Sequence, residues 1–284
     1  MRSRSRFAAG LTLVGVALLL TGCTDAAPPT APTVAIDVSV FQYRSDYAPR
    51  RAQIEISNRS AHDITVTAAR FSSAWFDWAV ASESTPSRVL AGATTAFPVT
   101  LAPPRCTSAT ASPRVTVQYR TTKGGRGQIT ETPSVPFDSL GAVHSADCAQ
   151  AAFESIATIT PASALRYDDA AGGPVALLDL TITPTGAPGA VTLRSTEDTT
   201  LLAQREGQLR TIDQTFTEAS APAVITLAYT PSRCEQHVVA EDKVGTMLPV
   251  RVDAGPFRDA LFTVAVSPAV KAEIFEWFAR YCGW

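Results

Sequence analysis

Apolar residues alternate with polar or small residues along several short segments of this chain. A period of two is typical of β-strands that bury one face, and clusters of Gly, Asn and Ser between the segments indicate turns. In the first half of the chain the alternating segments are 34–40, 64–68, 97–101 and 115–119. Many short strands at this spacing, with little helical pattern, predict a mostly β protein built from sandwiches.

The pattern occurs twice, which predicts an internal duplication. Pro-Pro-Arg-Cys at 103–106 recurs as Pro-Ser-Arg-Cys at 231–234, an offset of 128, and an alternating apolar run precedes each motif at the same distance. Other apolar residues correspond at offsets of 124 and 127, namely Ile54 with Leu178 and Ile64 with Val191. The drift between offsets is what loop insertions would produce.

The duplication predicts two tandem immunoglobulin-like β-sandwich domains, at 34–150 and 151–284. The end of the second domain departs from the β pattern, because Ser267 and Pro268 form a helix start and Gly283 a helix end. Apolar residues between them fall on one face: Val270, Ile274, Trp277, Phe278 and Tyr281. We expect a short amphipathic helix packed on the second domain. A helix lying on a membrane is the alternative, although its polar face is not basic.

The glycine-rich segment 124–127 has two interpretations. A loop that cradles phosphate would follow a strand and open a helix. Here a β-branched run at 129–132 follows instead. The segment is therefore predicted to be a hairpin turn.

The first residues of the chain have the pattern of an export signal. Arginines at 2, 4 and 6 precede an apolar stretch at 7–20 that is short for a membrane span, and Leu-Thr-Gly-Cys follows at 20–23. Leu-Thr-Gly-Cys resembles a bacterial lipobox, which implies a signal peptide at 1–22 and a diacylglyceryl group on Cys23. Two acyl chains would anchor the protein stably. The alternative is an uncleaved anchoring helix with a structural cysteine.

Residues 23–33 are rich in Pro, Ala and Thr and predict an extended linker of about 30 Å. With the leader type, this linker predicts a lipid-anchored protein on the extracytoplasmic face of the bacterial cell membrane. We expect the membrane, through its lipid anchor, and a protein or cell-envelope partner to be its contacts.

The five cysteines fit this location. Lipidation of Cys23 leaves four that can pair in an oxidising compartment. Equivalent positions in the two repeats favour the disulfides Cys106–Cys148 and Cys234–Cys282 over the two other pairings. A redox-active or metal-binding set is the alternative, but the chain has no Cys-x-x-Cys pair.

Charge excludes one class of partner. The net charge is −2, and removing the three leader arginines takes it to −5. Nucleic acid is not expected as a partner, because the sequence has no block of clustered basic residues. No cofactor and no metal are expected either.

Ionisable residues are concentrated in one segment of the second repeat: His237, Glu241, Asp242 and Lys243. From the cysteine to the next strand, the second repeat spans 14 residues (Cys234 to Leu248) and the first spans 9 (Cys106 to Val115), so about five residues are inserted. The segment is a candidate binding site, since His237 and Glu241 would share a face of a helix. A solvated loop is the alternative.

The same segment carries a family resemblance. It resembles a pattern of uncharacterised actinobacterial secreted proteins and lipoproteins, Arg233-Cys234-x-x-His237-x-x-Ala240-Glu241-Asp242-Lys243-x-Gly245-Thr246. The resemblance implies an exported β-rich protein. It implies no activity and transfers no catalytic residue.

Three functions remain. None of the three histidines, His62, His144 and His237, accompanies a hydrolase or zinc motif, which favours a non-catalytic binding or adaptor module. The first alternative is a carbohydrate or small-molecule binding protein that uses Trp75 and Trp78, although packing of these rings is also consistent with the sequence. The second is an enzyme with a site around His237–Lys243.

Overall fold

A computed structural model describes residues 34–170 and 173–284, and their strands form two series that each end in a helix. The first series is β1 Ile36–Phe41, β2 Arg51–Asn58, β3 Ile64–Ser72, β4 Val80–Ala81, β5 Ser87–Val89, β6 Thr94–Thr100, β7 Arg114–Thr121, β8 Arg126–Glu131 and α1 Ser139–Glu154. The second is β9 Ala157–Pro161, β10 Arg166–Ala170, β11 Gly173–Pro184, β12 Ala190–Glu197, β13 Leu202–Gln204, β14 Leu209–Thr217, β15 Ala223–Pro231, α2 Gln236–Glu241, β16 Met247–Ala254, β17 Phe257–Ala265 and α3 Pro268–Cys282. Short 3-10 helices occupy Arg44–Asp46 and Pro136–Asp138.

Each series forms two antiparallel sheets with the same order of strands. In the first, β1-β2-β6 forms one sheet and β4-β3-β7-β8, with β5 beside β3, forms the other. In the second, β10 and β9 pair with successive parts of β11, and β11 pairs with β15, which pairs with β13. The other sheet is β14-β12-β16-β17. The shared orders β1-β2-β6 and β9-β11-β15, with β3-β7-β8 and β12-β16-β17, confirm two tandem immunoglobulin-like sandwiches.

A matching irregularity marks the duplication in detail. The pairing register of β3 shifts between Val66 and Ala68, and that of β12 shifts between Leu193 and Ser195, 127 residues later. The register also corrects one alignment. Phe97 and Ile225 are equivalent at the offset of 128, and they lie opposite Ile54 and Leu180 in the neighbouring strands. The residue that corresponds to Ile54 is therefore Leu180 and not Leu178. The two-residue difference leaves the buried face unchanged.

Alternation along the strands builds the two cores. In β7, Val115 and Val117 are buried while the residues beside them are exposed or half-buried. In β16, every second residue from Leu248 to Ala254 is buried. These faces meet the inner face of the facing sheet, and two separate clusters of buried apolar side chains result.

Both predicted disulfides are confirmed. Cys106 is bonded to Cys148 and Cys234 to Cys282, each with a Cα–Cα distance of 5.5 Å. In both halves the bond joins the loop after an equivalent strand, β6 or β15, to the closing helix. The equivalence extends the duplication to the helices, since α1 corresponds to α3.

Helix α1 was not predicted. Leu140 is buried in the first core, whereas Ala149 and Phe153 are buried in the second. The Arg50 guanidinium also binds the Asp147 carboxylate and the carbonyl oxygen of Leu101. The domain boundary expected after residue 150 therefore falls within a helix whose side chains are buried in both cores. Residues Val34–Trp284 form one compact unit.

Helix α3 agrees with its prediction. The Ser267 hydroxyl accepts a hydrogen bond from the Val270 N–H at 3.2 Å, and Gly283 takes a left-handed conformation with φ of 76°. Val270, Ile274, Trp277 and Phe278 are buried in the second core. The indole N–H of Trp277 donates to the carbonyl oxygen of Pro174 at 2.7 Å, which satisfies this buried polar group.

The predicted hairpin at 124–127 is present. Strands β7 and β8 pair antiparallel, the Thr121 N–H donates to the carbonyl of Gly125, and Gly124 has a φ of 83°. The leader, Cys23 and the linker lie outside the described residues. No helix of the described part of the chain is long and apolar enough to cross a membrane.

Candidate functional site

The ionisable segment of the second half folds into α2 and the turn after it. His237 and Glu241 lie one helical turn apart, with 3.4 Å between the imidazole Nε2 and a carboxylate oxygen. Both side chains are exposed, by 83% and 70%. The predicted shared face is therefore present, and it points to solvent.

Asp242 and Gly245 build the turn that returns the chain to β16. One carboxylate oxygen of Asp242 accepts from the Thr200 hydroxyl at 2.6 Å, and the other accepts from the Gly245 N–H. The Gly245 carbonyl accepts from the Thr199 hydroxyl at 2.6 Å. A β-carbon at Gly245 would overlap the Leu201 side chain, so glycine is required by this close approach.

The four candidate residues do not converge on a concave site. His237, Glu241 and Lys243 are exposed, and the Asp242 carboxylate is occupied by the two hydrogen bonds of the turn. Val239 is the residue of α2 that is buried in the second core. The segment acts as a cap over one end of the second sandwich.

The two tryptophans of the first half have different surroundings. Trp75 is half-buried, and its ring stacks on the His144 imidazole with 4.7 Å between ring centroids and 6° between planes. His144 lies on α1, and its Nε2 is 3.5 Å from the Cys148 sulfur. Trp75 therefore packs the junction between the first sandwich and α1.

Trp78 is 59% exposed and stands beside a groove of about 530 Å³. The groove runs between β4 and β6, which are edges of the two facing sheets of the first sandwich. Its other lining residues include Arg51, Glu83 and Pro98. Sequence reasoning singled out Trp78 but not the groove, because the approach of β4 to β6 follows from tertiary pairing.

The lining of this groove carries both signs of charge, from Arg51 and Glu83. The Arg51 guanidinium lies 3.4 Å from the carboxylate of Asp46, a residue that is 1% exposed. Asp46 also accepts from the Tyr43 N–H and from the Gln53 side-chain amide, at 3.0 and 2.9 Å. The Nε of Arg51 is buried and has no hydrogen-bond partner, whereas 42% of the Arg51 side chain is exposed.

Among the described residues, no group of three or more His, Cys, Asp or Glu side chains is placed to hold a metal ion. The arrangement of Trp78, Arg51 and Glu83 can instead contact an uncharged or carboxylated ligand by ring packing and hydrogen bonds.

No protein-family model and no curated protein matches the chain. Among solved structures, a red sea bream transglutaminase is similar over 82% of this chain, with 11% identity and a TM-score of 0.21. The BSP domain of a biofilm-associated protein is similar over 81%, with 7% identity and a TM-score of 0.24. The CsuC–CsuE chaperone–tip adhesion subunit complex of Acinetobacter baumannii is similar over 77%, with 10% identity and a TM-score of 0.19.

The chain spans 31% of the transglutaminase, 58% of the biofilm-associated protein and 92% of the pilus chain. Structural similarity at these TM-scores does not indicate a function. The fold assignment rests on the order of strands in the two halves.

Proposed function

We propose that this protein is a lipid-anchored, non-catalytic binding or adaptor module on the extracytoplasmic face of a bacterial membrane. The lipobox-like leader supports the anchor at Cys23, and the two disulfides support an oxidising compartment. The resemblance of the 233–246 pattern to actinobacterial secreted lipoproteins supports the same location. The partner is a protein or another component of the cell envelope.

The observation that carries the binding role is the groove beside Trp78. An exposed tryptophan next to a groove is typical of an interface, since its ring supplies a large contact area at little cost in conformational entropy. Strand β6 pairs with β2 on one side, and no strand of the described residues pairs with its other edge. An extended segment of a partner could lie along this edge with its side chains against Trp78.

The placement of the ionisable segment supports a role without catalysis. An enzyme site would hold His237, Glu241, Asp242 and Lys243 in a concave pocket. Three of these side chains are exposed, and Asp242 stabilises a turn.

Comparison of Trp78→Ala with a matched control tests the binding role. Leu209→Ala is the control, because Leu209 is a similarly exposed apolar residue of the second sandwich, at 54%. The proteins are cross-linked in cells and purified in detergent. We expect partner recovery to fall at least about tenfold for Trp78→Ala alone, as for an interface hot spot. Equal recovery with both variants, or no recovered partner with the wild type, would contradict the proposal.

A carbohydrate or small molecule is the second candidate ligand of the same groove. The part-exposed guanidinium side chain of Arg51 and the ring of Trp78 favour it, because sugars with a carboxylate bind by ring stacking and charged hydrogen bonds. Titration of a panel of neutral and acidic sugars, followed by tryptophan fluorescence in wild type and Trp78→Phe, measures this activity. Saturable quenching of tryptophan fluorescence in the wild type, but not in Trp78→Phe, would show that the groove binds a sugar.

A further inference from the structure

The outer face of the β3-β7-β8 sheet is basic. Its outward positions, with the turn between β7 and β8, hold six exposed cations, and none of these outward positions holds a carboxylate. We call this surface the basic face, and it consists of Arg70, Arg88, Arg114, Arg120, Lys123 and Arg126. The neighbouring outward residues of β3, β7 and β8 are uncharged, so the face is positive.

The pairing registers bring three of these arginines into one row. Arg88 of β5 and Arg120 of β7 both lie opposite Thr65 of β3, and Arg126 of β8 lies opposite Arg120. Like charges directly opposite each other destabilise a sheet. Arg88 has a partner in Asp63, but no carboxylate of the described residues pairs with Arg120 or Arg126. The row is therefore not explained by the stability of the sandwich.

The second sandwich provides an internal comparison. On its equivalent β12-β16-β17 sheet, Arg194 lies 3.0 Å from Asp213 and 3.9 Å from Asp253. Arg251 pairs with Glu197 and with Asp259. Arg194 and Arg251 of the second sandwich thus have carboxylate partners, which Arg120 and Arg126 of the first sandwich lack among the described residues.

The net charge also differs between the two halves of the chain, and the first half is the more positive. Residues 34–150 contain eleven Lys or Arg and nine Asp or Glu, a net charge of +2. Residues 151–284 contain ten and sixteen, a net charge of −6. An anionic surface would therefore attract the first sandwich and repel the second.

The row of arginines lies at the end of the first sandwich where the chain enters. Ile36 at the start of β1 lies opposite Asn58 at the end of β2, and the Arg59 N–H donates to the carbonyl of Ala35 at 2.8 Å. The start of β3 lies at this same end, since the chain crosses to it directly, and there Ile64 pairs with Thr121 beside Lys123. If Cys23 is lipidated, this end of the first sandwich is the one that follows the lipid anchor in sequence.

We propose that the basic face rests on the anionic headgroups of the membrane to which the protein is tethered. This inference deepens the proposed function, because it rests on the lipid anchor and adds the surface on which the tethered protein settles. Cations close to an anionic bilayer are attracted by its surface potential, and this attraction is screened by salt. Binding through these cations should therefore be electrostatic and reversible.

Vesicle sedimentation of residues 34–284 tests the inference without the lipid anchor. This segment contains both cores and both disulfides. We expect binding to vesicles of phosphatidylcholine with 30 mol% phosphatidylglycerol in low salt, and none to pure phosphatidylcholine. The variant Arg120→Gln/Lys123→Gln/Arg126→Gln should lower the partition coefficient on the order of 100-fold.

A variant with the same change in net charge provides the control. Arg205→Gln/Arg233→Gln/Lys243→Gln removes three exposed cations of the second sandwich and should bind as the wild type does. Equal loss in both triple variants, or binding that is insensitive to 0.5 M salt, overturns the inference. Binding to soluble polyphosphate without binding to anionic vesicles also overturns it, in favour of an anionic polymer. The mass of the mature N-terminal peptide tests lipidation of Cys23 separately. A lack of vesicle binding would therefore not imply that the lipid anchor is absent, and an absent anchor would not imply that the basic face fails to bind vesicles.

Discussion

Tyr229 is the residue whose environment departs most from an ordinary core position. Its side chain is 1% exposed in β15, and its hydroxyl has no hydrogen-bond partner. Burial raises the pKa of this phenol, the nearby Asp198 charge raises it further, and Arg210 acts in the opposite direction. A buried hydroxyl without a partner loses its hydration and gains nothing in return.

Replacing Tyr229 by Phe should therefore not destabilise the protein. We expect the free energy of unfolding in urea at pH 7 to be equal to that of the wild type or higher by about 1 kcal/mol. A raised pKa in the folded state means that stability is lost as the pH rises above the ordinary tyrosine value of about 10. The variant should accordingly resist alkaline unfolding better. A loss of more than about 1 kcal/mol at pH 7 would show that the hydroxyl has a partner.

Asp179 has the opposite kind of environment. Its carboxylate accepts from the Arg166 guanidinium at 2.7 Å and from the Thr226 hydroxyl at 2.6 Å. The bond from Arg166 lowers the pKa of this carboxyl most, and the bond from Thr226 lowers it further. The ionised form is therefore the one that stabilises the fold.

Asp179→Asn should show the corresponding pH dependence. A lowered pKa gives stability that is present above the unfolded pKa near 4 and is lost as the pH falls through the folded value. We expect the variant to be about 1 kcal/mol less stable at pH 7 and to match the wild type at the acid end of a urea series. Asp168→Asn is the control, because its carboxylate lies 3.9 Å from Arg205 and is 61% exposed. A constant difference at all pH values would exclude the charged bond as the cause.

At the residue scale, the sequence identified Asp242 and Gly245 but not their role. The pattern around them predicts a candidate binding segment, whereas the structure shows a turn closed by Thr199, Thr200 and Leu201. These partners lie about 40 residues upstream, so no local pattern could reveal them. The basic face was missed for a similar reason, because its arginines come from four strands and meet through the pairing registers.

At the element scale, neighbouring residues of α2 and its turn should differ in how much they contribute to the free energy of unfolding. Asp242→Ala should lower the free energy of unfolding by about 2 kcal/mol, because two donors in the turn lose their acceptor. His237→Ala and Glu241→Ala should change it by less than about 0.5 kcal/mol, because their pair is exposed to water. Urea denaturation of the three variants measures these differences. A loss with Glu241→Ala as large as with Asp242→Ala would contradict the account of the turn.

The two closing helices show what could be predicted from sequence at this scale. Helix α3 has a single apolar face, a serine cap and a terminal glycine, and all three signals are local. Helix α1 divides its buried residues between two cores and is rich in alanine and other small residues, so it has no single apolar stripe. The strands were predictable from alternation, whereas β13, β14 and α2 depend on contacts distant in sequence.

At the scale of the whole molecule, α1 couples the two sandwiches. Because it is buried in both cores and bonded to the first through Cys148, we expect residues 34–284 to unfold as one unit. Cys106→Ala/Cys148→Ala should lower the free energy of unfolding by about 4 kcal/mol, from the loss of a 42-residue loop closure. Hydrogen exchange in urea should show both cores losing protection together. Unfolding of the first core at lower urea, with the second unchanged, would contradict this coupling.

If Cys23 is lipidated, the anchor and the duplication together determine which part of the molecule lies next to the membrane. The chain enters the first sandwich at the end that carries the arginine row, and the groove beside Trp78 lies between the edges of the same sandwich. The second sandwich follows α1 in the chain, and α2 and α3 pack on it. A tether at Cys23 would hold the first sandwich next to the membrane, and the account of function depends on that tether.

Mass spectrometry of the mature protein tests the tether most directly. The protein is purified from membranes in detergent and digested without reduction. The account predicts an N-terminal peptide that begins at Cys23 and carries the mass of a diacylglyceryl group, with cross-linked peptides that join Cys106 to Cys148 and Cys234 to Cys282. An unmodified Cys23, a retained leader, or a peptide that joins a cysteine of one sandwich to a cysteine of the other would contradict it.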